Sequence, residues 1–185
     1  MLHGTGGDEN DLLPLGRTIA PGAALLSPLG KVLEQGMARF FRRLAEGVFD
    51  QKDLESRTKD LAEFVGRAQA AYGFPKDRLV AVGFSNGANI ASSLLLRFPE
   101  TLAGAVLMRG MVPFVPKQAV ELNRKPVLLL SGVEDPIVGT DEVAELANIL
   151  RAANAEVTLH WEQAGHMLSQ GDVLMATDWL RRFYR

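Results

Sequence analysis

Gly83-Phe84-Ser85-Asn86-Gly87 reads G-x-S-x-G, and what stands on either side of it decides how the chain must fold. Before it, Leu79-Val80-Ala81-Val82 is a short apolar run of the kind expected for a strand covered on both faces of a parallel sheet. After it, Ala88 to Arg97 is good helix-forming sequence. A sharp strand-to-helix reversal strains the serine backbone and lifts its hydroxyl above the sheet edge, so both flanking positions must be small enough for neighbouring backbone to pass. Gly83 and Gly87 meet that demand, and the pentapeptide reads as a nucleophile elbow. The plainer reading is a glycine-flanked turn with a capping serine. The strand-then-helix context favours the elbow.

Working outward, the chain shows strands alternating with helices. Gly104 to Met108, Pro126 to Leu130 and Glu156 to Trp161 are further strand candidates. Upstream, Leu54, Leu61, Phe64, Val65, Ala68 and Tyr72 fall on one helical face that Gly73 and Pro75 terminate. Thr140 is expected to cap a helix whose apolar face is Val143, Leu146, Ala147 and Leu150. A last helix carries Val173, Ala176, Leu180 and Phe183 on one side. This alternation predicts an α/β fold, a mostly parallel central sheet with helices on both faces. The start is less regular. Leu2 to Asn10 is a glycine-dense loop that begins at once, as though the strand feeding it were missing, followed by helical pattern at 11–17 and a candidate strand at 23–26. Residues 27–51 have no clean period and contain Arg39-Phe40-Phe41-Arg42-Arg43, so they read as an excursion long enough to fold over the sheet edge as a lid.

Composition narrows the function classes. The 185 residues, 47% hydrophobic and 23% charged, suit one domain spanning 1–185. A formal charge of -2 provides no basic face for nucleic acid or for stable association with an anionic membrane. Cysteine is absent, which excludes disulfides, thiolate-bound zinc and a thiol nucleophile and makes the cytoplasm the expected location. Met1-Leu2-His3-Gly4 has no basic stretch leading into an apolar one, so neither a secretion signal nor an anchor is expected.

In open α/β sheets, functional residues gather at the carboxyl ends of strands. Asp135 follows the candidate strand 126–130 and precedes Pro136, which favours an extended backbone; His166 follows the last strand, after Gly165. A serine hydroxyl needs an imidazole to take its proton and a carboxylate to orient that imidazole, and Ser85, His166 and Asp135 supply one of each. Glu134 is a rival acid, and His160 a rival base that lies inside a strand. His3 is expected to hydrogen-bond within its own loop. The developing oxyanion needs two N–H donors, for which the backbones of Asn86 and Thr5 are the candidates. The three histidines lack metal-ligand spacing, and the glycine-dense loop lacks the lysine of a phosphate cradle, so no metal and no cofactor are expected.

Taken together, His3-Gly4-Thr5-Gly6-Gly7-Asp8-Glu9, Gly83 to Asn89, Ser131-Gly132 through Asp135-Pro136, and Gly165-His166 resemble the phospholipase/carboxylesterase branch of the α/β-hydrolases. Within it the nearer likeness is to small bacterial carboxylesterases, relatives of the acyl-protein thioesterases. The resemblance implies an α/β-hydrolase fold, the triad Ser85, Asp135 and His166, oxyanion donors at Thr5 and Asn86, and hydrolysis of small carboxylic esters through an acyl-enzyme. Members of that branch begin with further strands, so the chain looks truncated at its amino-terminal end. The alternatives are an acyl-protein thioesterase or lysophospholipase and, from another class, a non-catalytic small-ligand module. Phe40, Phe41, Met111, Phe114 and Met167 are the candidate substrate wall. Arg39, Arg42 and Arg43 read as a solvated face or as selectivity for an anionic or phenolic group. A small ester is the expected partner, and the sequence leaves a homodimer open.

Overall fold

Side chains alternate across short apolar strands, and this alternation places two helical layers on opposite faces of one sheet. The computed structural model describes residues 1–184. Its elements are α1 (Leu13–Ile19), a hairpin of β1 (Val32–Glu34) and β2 (Met37–Arg39), a second hairpin of β3 (Arg43–Ala45) and β4 (Val48–Phe49), α2 (Gln51–Tyr72), β5 (Val80–Phe84), α3 (Asn86–Arg97), β6 (Gly104–Met108), β7 (Pro126–Gly132), α4 (Thr140–Ala152), β8 (Glu156–Glu162) and α5 (Gln170–Phe183). Strands β5, β6, β7 and β8 pair in that order, all parallel.

Ala105, Leu107, Val127 and Leu129 face α2, α3 and α4, whereas Val106, Met108, Leu128 and Leu130 face α1 and α5. Two buried faces explain why β6 and the start of β7 are apolar without interruption. A leucine fully buried here contributes about 2 kcal/mol of transfer free energy. The expected α/β architecture with helices on both faces is therefore present. β6 spans the predicted residues; β5, β7 and β8 each continue one or two residues past the predicted end, because backbone pairing outlasts the side-chain pattern.

Local expectations at four places need correction. The first helix covers Leu13–Ile19, two residues later than predicted, with Pro14 in its first turn, and 23–26 forms no strand. Tyr72 is exposed and lies off the buried face of α2. Thr140 is the first helical residue of α4; Gly139 holds the cap position without a side-chain bond. The cap rich in side-chain bonds is instead at α5, where Ser169 and Asp172 form a reciprocal capping box.

The unpatterned excursion is two hairpins. Strands of two or three residues are too short to display a period, and the first turn is marked only by Gln35 and Gly36 at positive φ, a primed turn suited to strand twist. Both hairpins reach the sheet's carboxyl edge: Met37 lies against Gly6, and Gly47 faces Met111. Along the outer edge of β5, Leu2 makes a parallel bridge, donating to Val82 at 2.8 Å and accepting from Phe84 at 3.1 Å. Beside it runs an apolar trough of about 1080 Å³ lined in part by Leu2, Ile19, Phe64, Leu79 and Val82.

Candidate active site

Ser85 stands between β5 and α3 with φ 51° and ψ −114°, a region that residues with a side chain seldom adopt. Its N–H donates to Met108 across the sheet at 2.8 Å, and its carbonyl accepts from Asn89 in the first turn of α3, so the strained backbone is held from both directions. The reversal requires both glycines. A Cβ on Gly83 would come within 2.5 Å of the Gly87 carbonyl oxygen, and one on Gly87 would run into the Leu2 carbonyl.

The side chains drawn from three strand ends meet. His166 Nε2 lies 3.0 Å from Ser85 Oγ, and His166 Nδ1 lies 2.8 Å from Asp135 Oδ2. The other Asp135 oxygen accepts from the backbone N–H groups of Ile137 and Val138 at 2.8 and 3.1 Å, a turn that Pro136 helps to set. The Asp135 side chain is 1% exposed and that of His166 17%, so the pair is largely dry while the imidazole keeps one side open. With Nδ1–H donating to Asp135, Nε2 is free to accept a proton from Ser85. The rivals stand apart. Glu134 is exposed, and His160 bonds Glu162 at 3.1 Å within β8.

Of the oxyanion candidates, Asn86 directly follows the serine, and Thr5 stands in a loop that passes Phe84, whose ring a Cβ on Gly4 would meet. Asn86 opens α3, where the first backbone N–H groups have no intrahelical acceptor. Neither the Asn86 nor the Thr5 N–H donates to a protein acceptor among the described residues. The Thr5 loop is tied down by its neighbours. His3 is buried, its Nδ1–H donating to Gly4 O at 2.7 Å and its Nε2 accepting from Gly30 N–H at 2.9 Å, which assigns the tautomer and meets the expected structural role. Arg39 Nη1 donates to Thr5 Oγ1 at 2.7 Å, and Gly6 N–H bonds Ala38 O at 2.9 Å. The Asn86 side chain is likewise anchored, accepting from Phe40 N–H at 2.7 Å.

The expected substrate wall separates into two groups. Phe40 packs on His3 behind the Thr5 loop, Phe41 has no exposed surface and meets Phe49 edge-on, and Phe114 lies under the Arg97 guanidinium at the far end of α3. These three are core or buttress, not a lid, because their rings complete the packing between the hairpins, α2 and α3. Met111 and Met167 remain at the sheet's carboxyl edge: Met111 N–H bonds Asn89 Oδ1 at 2.7 Å, and Met167, beside His166, is 75% exposed. The arginines divide as well. The Arg42 side chain is 62% exposed, as a solvated face requires, but that of Arg39 is 4% exposed and pairs with Glu34, which also holds Arg43. Burial pulls the Arg39 pKa below its ordinary value, partly offset by Glu34.

Sequence reasoning passed over Arg109 and Asp172, which are joined by a fully buried ion pair next to the His166 loop. The signal was available, since Arg109 directly follows a strand at the edge where the site forms. Phe84 was also missed; its ring lies 5.4 Å from that of His166.

Comparison with known proteins fits this geometry. The family model described as Phospholipase/Carboxylesterase matches residues 41–183. The Bacillus subtilis protein MhqD is 45% identical over 181 residues, covering 98% of this chain and 90% of that protein. The crystal structure of the Bacillus cereus carboxylesterase superposes with a TM-score of 0.96 at 50% identity, over 99% of this chain and 86% of that one. Acyl-protein thioesterase 1 of Schizosaccharomyces pombe is 37% identical over 75 residues, 38% of this chain and 34% of that protein. No described helix is long and apolar enough to cross a membrane. With the family model matching most of its length, this chain belongs to the phospholipase/carboxylesterase family and is a hydrolase of the α/β-hydrolase fold.

Proposed function

We propose that the protein is a serine carboxylesterase acting on small carboxylic esters through an acyl-enzyme. The observation that carries this reading is the unbroken relay from Ser85 Oγ through His166 to Asp135, at 3.0 and 2.8 Å. In the first step Ser85 Oγ adds to the ester carbonyl while His166 Nε2 takes its proton, and Asp135 stabilises the resulting imidazolium. The N–H groups of Asn86 and Thr5 receive the negative charge on the former carbonyl oxygen. Collapse expels the alcohol, protonated by His166, and water then repeats the sequence to release the acid. A cytoplasmic setting belongs to the same proposal.

The test is Ser85→Ala. It is expected to abolish turnover of p-nitrophenyl acetate and labelling by a fluorophosphonate while leaving thermal unfolding intact. A parent protein that neither hydrolyses the ester nor accepts the label would favour the non-catalytic ligand module instead.

A thioesterase or lysophospholipase reading has support of its own. It rests on the similarity to the yeast thioesterase and on exposed Leu33, Leu44 and Val48 on the hairpins. We prefer short acyl groups, because Phe40, Phe41 and Phe114 are taken up by the core and leave Met111 and Met167 as the apolar wall. Acetyl to butyryl esters are therefore expected to exceed palmitoyl esters in kcat/KM. A profile that climbs steadily with chain length would transfer the assignment to the long-chain reading.

A further inference from the structure

Arg109 is among the largest fully buried side chains of the protein and takes no part in the relay. It follows β6 at φ 55°, and its N–H carries the sheet ladder one step further to Leu130 O at 2.8 Å. Its guanidinium engages the Asp172 carboxylate as a fork, Nη1 to Oδ1 at 3.0 Å and Nη2 to Oδ2 at 2.6 Å. That alone would satisfy both charges. The remaining donors go elsewhere: Nε to Gly165 O at 2.9 Å and Nη2 to Met167 O at 3.1 Å. Those are the carbonyls immediately before and after His166, so one planar group grips the loop on both sides of the imidazole. Asp172 in turn is fixed by Ser169 at the start of α5, which accepts its N–H and donates to its Oδ2. Burial would raise the Asp172 carboxyl, but hydrogen bonds from Arg109 and Ser169 outweigh it and hold it below its ordinary value.

A buried ion pair is no economical route to stability, since apolar residues of similar volume often serve as well. What apolar residues could not do is hold two peptide carbonyls at set positions. We propose that Arg109, fixed by Asp172, is a positioning residue for His166, clamping its loop so that the imidazole stays within reach of Ser85 and Asp135 together. The proposal rests on the reading of His166 as the general base. Small displacements of a catalytic group are costly, and a shift of about 1 Å lowers turnover by about 100-fold.

The experiment uses Arg109→Met combined with Asp172→Asn, which removes both buried charges yet leaves a side-chain oxygen for the Ser169 cap. Three quantities are measured: kinetics with p-nitrophenyl acetate, thermal unfolding, and the low-field proton resonance of the imidazole N–H donated to Asp135. The expected result is a folded protein whose kcat falls about 100-fold with KM within about threefold, and whose low-field signal is broadened or lost. A folded variant with parental kcat and an unchanged signal would overturn the proposal. Should the double variant not fold, Arg109→Lys reads the same quantities. Its single ammonium head cannot span the carboxylate and both carbonyls, so a lowered kcat and a weakened signal are expected, and parental values would again overturn the clamp. Inactivity of the parent towards every ester would overturn the esterase reading and this inference with it; an active parent with indifferent variants strikes only the clamp.

Discussion

His166→Ala is expected to lower kcat towards an activated ester by about 10⁴- to 10⁶-fold, as loss of a base does in other triads, with little change in thermal unfolding. On the proposed mechanism, the size follows from the base acting twice, first taking the proton of Ser85 and then returning it to the leaving alcohol. His160→Ala is the matched control. That ring is half-buried and bonds Glu162 within β8, apart from Ser85, so turnover should stay within about twofold of the parent. Asp135→Asn should cost about 10⁴-fold, because an amide presents the wrong partner to Nδ1–H while preserving shape. Steady-state kinetics on the three variants decide the matter. A harmless His166→Ala beside a crippling His160→Ala would reverse the assignment of the base.

The second large effect concerns the backbone beneath the serine. Gly87→Ala places a methyl group against the Leu2 carbonyl and close to that of His3, main-chain atoms that cannot rotate away. Separating them means pushing α3 away from the amino-terminal loop, at a cost of about 3 kcal/mol or more. Gly66→Ala tests the opposite case. It is exposed in the middle of α2 with nothing near its would-be Cβ, and should gain up to about 1 kcal/mol from helix propensity. Urea unfolding of both variants measures the difference. A Gly87→Ala protein as stable as its parent would mean that Leu2 does not pack against the start of α3 as described.

The strand-end rule made the centre of the site legible. Ser85, Asp135 and His166 could be named because each follows a recognisable strand pattern, and their order along the chain matched a known family. What stayed illegible did so for physical reasons. The two hairpins have strands of two or three residues, below the length at which alternation can be seen, so the burial of Phe40 and Phe41 could not be read from their neighbours. Charge runs are usually solvated, and Arg42 obeys that rule; Arg39 breaks it because Glu34, Thr5 and the Phe41 carbonyl, from different turns of chain, converge on it. Arg109 and Asp172 are 63 positions apart, and no local pattern links them. Thr140 looked like a cap because threonine often is one, yet the helix begins one residue earlier in space than its capping chemistry suggested.

Ser85 and His166 are 81 positions apart, and Asp135 reaches His166 across 31 more locally. Every one of those separations is bridged by parallel pairing, which closes long loops before any contact rewards it and is therefore slow to form. No single element of this chain carries Ser85, Asp135 and His166 together. A partly collapsed chain with β5 and α3 in place would have the strained serine but no base, and one lacking the β7–β8 pair would have neither acid nor base. Hydrolysis is thus a clock for assembly: during refolding it returns only when the last strand has docked, later than helical content.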